Sequence, residues 1–281
     1  MPQIVKNGGI CSAVVSTLAC RGRGPLAGGR AQRGRRNRYR CFFCIFANVK
    51  GKLYLIPSPL GEYDPALVLP ASVLELLHTI NCYVVEEVRT ARRFLSAAGL
   101  KGHIEGLEFH TLNEHSSKED IEALDSLFDK GDVGLISEAG LPAVADPGAD
   151  LVALCHRKGI EVVPLVGPSS LMLALMASGL NGQSFAFRGY LPAKTDERRS
   201  ALKEVERISK ALNQSQIFIE TPYRNDALLG DLLKFLQPST RLTVAADITL
   251  PTAFIRTLTV AQWRKAPVTI GKRPCVFIIL V

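Results

Sequence analysis

Three short segments concentrate the residue types from which a small-molecule site is built: Pro57-Ser-Pro-Leu-Gly61, Ser137-Glu-Ala-Gly-Leu-Pro-Ala-Val-Ala-Asp-Pro-Gly148 and Gly167-Pro-Ser-Ser170. Glycine lets main chain approach a ligand closely, proline fixes an irregular path, and serine and aspartate add short polar groups. Segments of this kind suit a ligand gripped by backbone N–H and C=O groups. Ordinary turns use the same residues, so a single segment would say little; three at equivalent places say more. Other chemistries lack their residues. The chain has no G-x-x-x-x-G-K-[ST] phosphate loop, no G-x-G-x-x-G after a strand and no G-x-S-x-G nucleophile elbow. Its histidines, at positions 78, 103, 110, 115 and 156, do not show metal-ligand spacing, and no metal is expected.

The elements that must carry these segments alternate in the manner of an α/β protein. Strands are expected at Leu53–Pro57, Cys82–Val85, Val133–Ile136 and Ile160–Val166. All three Gly/Pro segments then leave the C-terminal end of a strand, where open α/β sheets bind ligands. A helix is expected over Ser72–Ile80. A second opens on a capping box, Ser116 to Glu119, and runs to Phe128. Asp146 as N-cap, followed by Pro147, should start a third that ends at Lys158 before Gly159. Leu171–Ala177 is apolar on every side and is expected to be buried on all faces. After Gly182 the pattern restarts, with strands at Phe185–Phe187, Gln216–Glu220, Leu242–Ala246, Phe254–Thr257 and Val276–Val281 and helices at Asp196–Leu212 and Asp226–Leu236. Two α/β halves, 51–181 and 182–281, are therefore expected.

Charge divides the chain differently. The net charge of +8 comes from residues 1–50, which hold ten basic residues and no acid; the remaining 231 residues carry −2. Overall basicity is thus weak evidence for nucleic-acid binding by the folded part. The Gly/Arg-rich stretch 20–40 is expected to be disordered. An RNA-binding arm, a transit peptide, a secretory signal and sequence lying upstream of a true start at Val49 are competing accounts, of which the last is favoured. Cys41 and Cys44 lack a second ligand pair for zinc, and Cys82, Cys155 and Cys275 read as reduced core thiols of a cytoplasmic protein. No run of apolar residues is long enough for a membrane span.

The strings Ile136-Ser-Glu-Ala-Gly-Leu-Pro-Ala-Val-Ala-Asp-Pro-Gly148 and Val163-Pro-Leu-Val-Gly-Pro-Ser-Ser170 resemble the tetrapyrrole methylase superfamily. Within it they are similar to the branch that methylates a ribose 2′-hydroxyl of small-subunit ribosomal RNA, with its D-A-G-T-P…S-D-P-G loop and V-P-x-P-G-x-S-A turn. Glu86-Glu-Val-Arg89, His110 with Asn113-Glu114, Phe187-Arg-Gly-Tyr-Leu-Pro192 with Glu197-Arg-Arg199, and Glu220-Thr-Pro-Tyr-Arg224 extend the resemblance over 51–281. It implies two α/β domains with S-adenosylmethionine in the cleft between them, and a homodimer. It places the cofactor against Pro57, Ser58, Pro59 and Gly61, against Ser137, Glu138, Ala139, Gly140, Pro142 and Asp146, and against Gly167, Pro168, Ser169 and Ser170. Tyr190 and Leu191 would join from the second half. Departures fall at Glu138 (Asp in the family), Leu141 (Thr), Ala145 (Ser) and Ala245–Leu250, where A-R-E-L-T-K is expected. The acceptor therefore stays open between RNA and a small tetrapyrrole-type molecule, and a cofactor-binding RNA- or ribosome-associated protein without turnover is the alternative of another class.

Methyl transfer to an alcohol needs in-line positioning and a base for the hydroxyl proton. Glu87 and Glu220, each at a strand end, are the candidate bases. Each also has a structural account, as a helix cap or an arginine partner, with Arg89 and Arg224 the obvious partners. Arg89, Arg92 and Arg93, with Arg198, Arg199 and Arg224, are the candidates for holding substrate phosphates or carboxylates.

Overall fold

A computed structural model describes residues 50–266 and 268–281. The expectations for the basic segment and for Cys41 and Cys44 lie outside the described residues. The described residues belong to one compact unit that holds two five-stranded sheets.

The first sheet is built from β1 (Leu53–Ile56), β2 (Cys82–Val85), β3 (Glu108–Thr111), β4 (Val133–Ile136) and β5 (Val162–Pro164) in the order β3-β2-β4-β1-β5, all parallel. Between them run α1 (Ala71–Leu77), α2 (Val88–Leu95), α3 (Lys118–Ala123) and α4 (Ala149–Lys158). Helices on both faces explain why β4, Val-Gly-Leu-Ile, is buried at every position. Gly134 is required there, since a Cβ would lie 2.6 Å from Ile56 and 2.8 Å from the Tyr83 ring.

Two helix starts differ from expectation. The capping box is Ser117 with Asp120, one residue later than Ser116 with Glu119, and Ser116 Oγ instead accepts from the Asn113 N–H at 3.0 Å. The later start turns Ile121 and Leu124 into the core, and the last turns narrow to 3-10 geometry over Leu124–Asp129. Asp146 is not the N-cap of α4. That role falls to Gly148 at φ 125°, where a Cβ would meet Leu135 at 2.7 Å, so the chain crosses tightly over β4 before turning helical. Asp146 is thereby freed to face a cavity.

The second sheet has β6 (Phe185–Tyr190), β7 (Ser215–Ile219), β8 (Arg241–Ala246), β9 (Phe254–Thr259) and β10 (Cys275–Leu280) in the order β6-β7-β10-β8-β9, parallel only between β6 and β7. One face packs under α6 (Thr195–Leu212), α7 (Asn225–Phe235) and α8 (Val260–Trp263) around Phe218, Phe277 and Trp263. The other face is covered by α5 (Ser170–Ser178), whose Leu171, Ala174 and Leu175 meet Ile217, Ala245, Val276 and Ile278. So α5 follows the first sheet in sequence but packs on the second, ahead of the expected break at 181–182. It is not buried all round, as its apolar sequence suggested: Met172 is 43% exposed and Met176 77%.

Candidate functional site

Strands β4, β1 and β5 are neighbours, so the three Gly/Pro segments leave the same sheet edge side by side. They also touch. Ser58 and Gly140 form a two-residue bridge, the Ser58 N–H donating to Gly140 at 2.8 Å and the Gly140 N–H to Ser58 at 3.0 Å. The Ser58 hydroxyl donates to the Ser137 carbonyl at 3.0 Å. Gly167 approaches so closely that a Cβ would sit 2.2 Å from the Pro57 Cβ. Gly140 needs its φ of 81°, and Ala143 and Ala145 hold φ of 62° and 65° although neither is glycine. Strained backbone of this kind concentrates at functional loops. Ser169 caps α5, accepting from the Met172 N–H. The Ser137 hydroxyl is buried and makes no hydrogen bond of ordinary length, though it lies close enough to Asp146 to favour that carboxylate's ionised form.

Three cavities open along this edge. One of about 360 Å³ lies beside Ser58–Tyr63, Glu138 and Ala139 and reaches Arg93 and Phe94 on α2. A small one of about 110 Å³ lies under Ala139–Leu141, Val144–Asp146, Ser169–Leu171 and Tyr190. A polar one of about 730 Å³ has Glu86, Asn113, Glu114, Asp146 and Tyr190 in its walls. Asp146 and Tyr190 border both of the last two, so the first sheet supplies the floor and the end of β6 the far wall. The second sheet closes on the first loop as well: Tyr63 Oη is 2.7 Å from Thr249 Oγ1, and Gly61 packs against Leu250.

Carboxylates gather here. Burial, with Asp146, Glu138 and Glu114 nearby, holds the Glu86 carboxyl above its ordinary range. Burial also raises Asp146, with the Ser137 hydroxyl acting against it. The Tyr190 hydroxyl is raised by desolvation and by the Asp146 and Glu220 charges. Glu86 was not among the candidate bases. Its signal in the sequence was its place at a strand end, which it shares with Glu87.

The structure distributes the other expected residues unevenly. Pro57, Ser58, Pro59, Gly61, Ser137, Glu138, Ala139, Gly140, Pro142, Asp146, Gly167, Pro168, Ser169, Ser170 and Tyr190 all lie at this edge. Leu191 does not line it; its side chain is in the core of the second sheet with Leu202 and Phe218. Glu87 is exposed and caps α2, accepting from the Arg89 N–H at 2.9 Å. Glu220 Oε1 is held by the Arg224 guanidinium at 2.6 and 3.0 Å and by the Thr221 N–H, while Oε2 is buried and unpartnered. Arg89, Arg92 and Arg93 share a groove of about 740 Å³ with Lys101. Arg198 departs from the expected role. It is 3% exposed, and its guanidinium is engaged by Asp231 and by the Pro192 and Ala193 carbonyls, leaving nothing for a substrate anion. Arg199 is exposed over the Phe235 ring.

At the opposite end of the sheet, pairing of β2 with β3 brings donor atoms of Cys82, Glu108 and His110 within 4.8 Å of one another, a grouping that spacing could not show. The Glu108 carboxylate there already bonds His110 at 2.9 Å and Lys130 at 3.4 Å.

No family model matches the chain. Solved structures share its fold. The methyltransferase CobJ superposes with a TM-score of 0.56 at 16% identity, over 82% of this chain and 94% of CobJ. The uroporphyrin-III C-methyltransferase of Thermus thermophilus, solved with S-adenyl homocysteine, gives 0.50 at 18%, over 82% of this chain and 97% of that one. Among curated proteins, ribosomal RNA small subunit methyltransferase I of Vibrio cholerae is 32% identical over 198 residues, 70% of this chain and 65% of the relative. The Escherichia coli O157:H7 protein of the same name is 32% identical over 203 residues, 72% of this chain and 67% of the relative. The chain thus spans about two thirds of the length of the curated relatives it matches. With the Pseudomonas aeruginosa protein it shares 32% identity over 75% of this chain and 71% of the relative, and on these matches the chain belongs to the ribosomal RNA small subunit methyltransferase I family, on the tetrapyrrole methylase fold.

Proposed function

We propose that this protein transfers a methyl group from S-adenosylmethionine to a ribose 2′-hydroxyl of small-subunit ribosomal RNA, in the cytoplasm and as a homodimer. The observation that carries most weight is the fusion of three Gly/Pro loops into one ligand-ready edge, through the Ser58–Gly140 bridge and the close approach of Gly167 to Pro57, in a chain related to proteins named ribosomal RNA small subunit methyltransferase I.

The residues present fit the donor. Gly140 and Gly167 let the three loops pack directly on one another, residues of the first two loops line the adjoining cavities, and the buried Ser137 hydroxyl faces this edge without a hydrogen bond of ordinary length. When bound, the donor supplies an electrophilic methyl group on a sulfonium. Pro57–Gly61, Ser137–Gly140, Pro142, Asp146 and Gly167–Ser170 would hold it and keep water out; Tyr190 would close the site from β6. Water exclusion strengthens every electrostatic interaction inside. The groove of Arg89, Arg92, Arg93 and Lys101 adjoins the first loop's cavity through Arg93, which suits it to phosphates of a strand entering the site. The exposed methionines of α5, Met172 and Met176, lie one helical turn apart and offer an apolar stripe for a second copy. Among the described residues no helix is long and apolar enough to cross a membrane.

The test is transfer of labelled methyl groups to small ribosomal subunits that lack the modification, followed by alkaline hydrolysis. Ribose 2′-O-methylation leaves an alkali-resistant labelled dinucleotide. Label in a base would refute the ribose assignment, label only in small metabolites would point to a tetrapyrrole-type acceptor, and donor binding without transfer would leave a non-catalytic factor.

A further inference from the structure

The polar cavity beside the loops has one wall that sequence comparison of neighbouring acids would not single out. Val85 is level with Ile136 in the β2–β4 pairing, so Glu86 stands beside Ser137 at the sheet edge, directly next to the longest loop. One carboxylate oxygen, Oε2, is shut off from solvent and has no hydrogen-bond partner. The side chain lines the cavity of about 730 Å³ together with Asn113, Glu114, Asp146 and Tyr190. A carboxylate oxygen left without a donor in a partly buried site is costly unless something brings a proton to it. Glu87 is turned outward as a helix cap; Glu220 also has a buried, unpartnered Oε2, but its other oxygen is ion-paired with Arg224 and it does not line this cavity.

We infer that this cavity receives the acceptor hydroxyl and that the Glu86 carboxylate takes its proton, an assignment that rests on the methyl-transfer function proposed above. The step balances simply. As the hydroxyl oxygen forms its bond to the methyl carbon, the carbon–sulfur bond breaks with its electron pair going to sulfur, and the hydroxyl proton passes to Glu86. The proton then leaves through the open side of the cavity, past Glu114 and His115. Burial first, and then its acidic neighbours, make Glu86 a stronger base than a solvated carboxylate, against a smaller opposing effect of the Glu138 N–H. Glu138, Asp146 and Asp150 face it from the loop and helix after β4, Glu114 and His115 from the loop after β3, and Tyr190 from β6 with Glu220 and Arg224 behind.

The experiment compares wild type, Glu86→Gln and Glu86→Asp in donor binding by calorimetry and in single-turnover transfer to unmodified small subunits across pH. The expected result for Glu86→Gln is donor affinity within about twofold of wild type, a rate lowered by about 10²–10⁴, and loss of the rise in rate with pH. Glu86→Asp should keep that rise at a reduced rate. A Glu86→Gln rate within about threefold of wild type with an unchanged pH profile would overturn the assignment, since a base contributes far more than that. Loss of donor binding instead would make Glu86 part of the cofactor site and also overturn it. Should Glu86→Gln fail to fold, a wild-type rate that is flat with pH overturns it unaided. No transfer by wild type to any acceptor removes the underlying function as well, which separates the two failures.

Discussion

Ser58 and Gly140 exchange backbone hydrogen bonds of 2.8 and 3.0 Å across two loops that lie 82 positions apart in sequence. The bridge joins the loop after β1 to the loop after β4, and Gly167 packs against Pro57 on the other side. Such an edge is rigid before any ligand arrives, which lowers the ordering cost of binding.

Gly167→Ala should break this arrangement. Its new Cβ would fall 2.2 Å from the Pro57 Cβ, against a ring that has no rotamer to yield. Overpacking of this kind costs about 1–3 kcal/mol. Thermal melting should show the loss, and calorimetry should show donor affinity reduced by about tenfold, equivalent to ~1.4 kcal/mol.

Arg198→Ala should act on stability and not on the substrate. It strips a side chain that is 4% exposed from Asp231 and from two carbonyls. Removing one member of a buried ion pair costs about 3 kcal/mol or more. A lowered urea midpoint is expected, with RNA affinity of the folded fraction unchanged; selective loss of RNA binding would restore the phosphate role.

Arg89→Gln and Arg93→Gln should weaken RNA binding without touching donor binding, because both are exposed in the groove beside the first loop. For every phosphate no longer neutralised, the slope of log affinity against log salt should fall by about 1. An unaltered slope in the double variant would place the acceptor elsewhere.

Met176→Lys should separate a homodimer into single chains, since Met176 is 77% exposed on the stripe offered to a partner. Sedimentation of wild type and variant reads the result directly. Identical masses would remove α5 from the interface.

Glu86→Gln should also stabilise the fold at neutral pH. The folded state raises the Glu86 carboxyl above its unfolded value, so the folded protein binds the proton more tightly. The ionised form is therefore a burden once pH exceeds the folded value, and the burden vanishes below the unfolded value of 4.5. Melting temperature of the variant should exceed wild type at neutral pH, with the gap closing in acid; a gap independent of pH would rule out this origin.

Sequence alone determined the layout. Buried apolar runs such as Val133–Ile136 admit few structures other than parallel strands, and Gly/Pro density marks where irregular backbone follows them. Those signals are local in the chain, and so were readable. Tertiary structure decided which side chains face the site. Glu86 and Glu87 are adjacent and chemically alike; direction alternates along a strand, and only pairing with β4 turns Glu86 to the cavity and leaves Glu87 to cap α2. Arg198 and Arg199 part in the same way, one into the fold against Asp231 and the other to solvent. The exposed methionines of α5 follow from the single face that the second sheet can cover. In each case composition names the group, and the packing of a distant element fixes what it can reach.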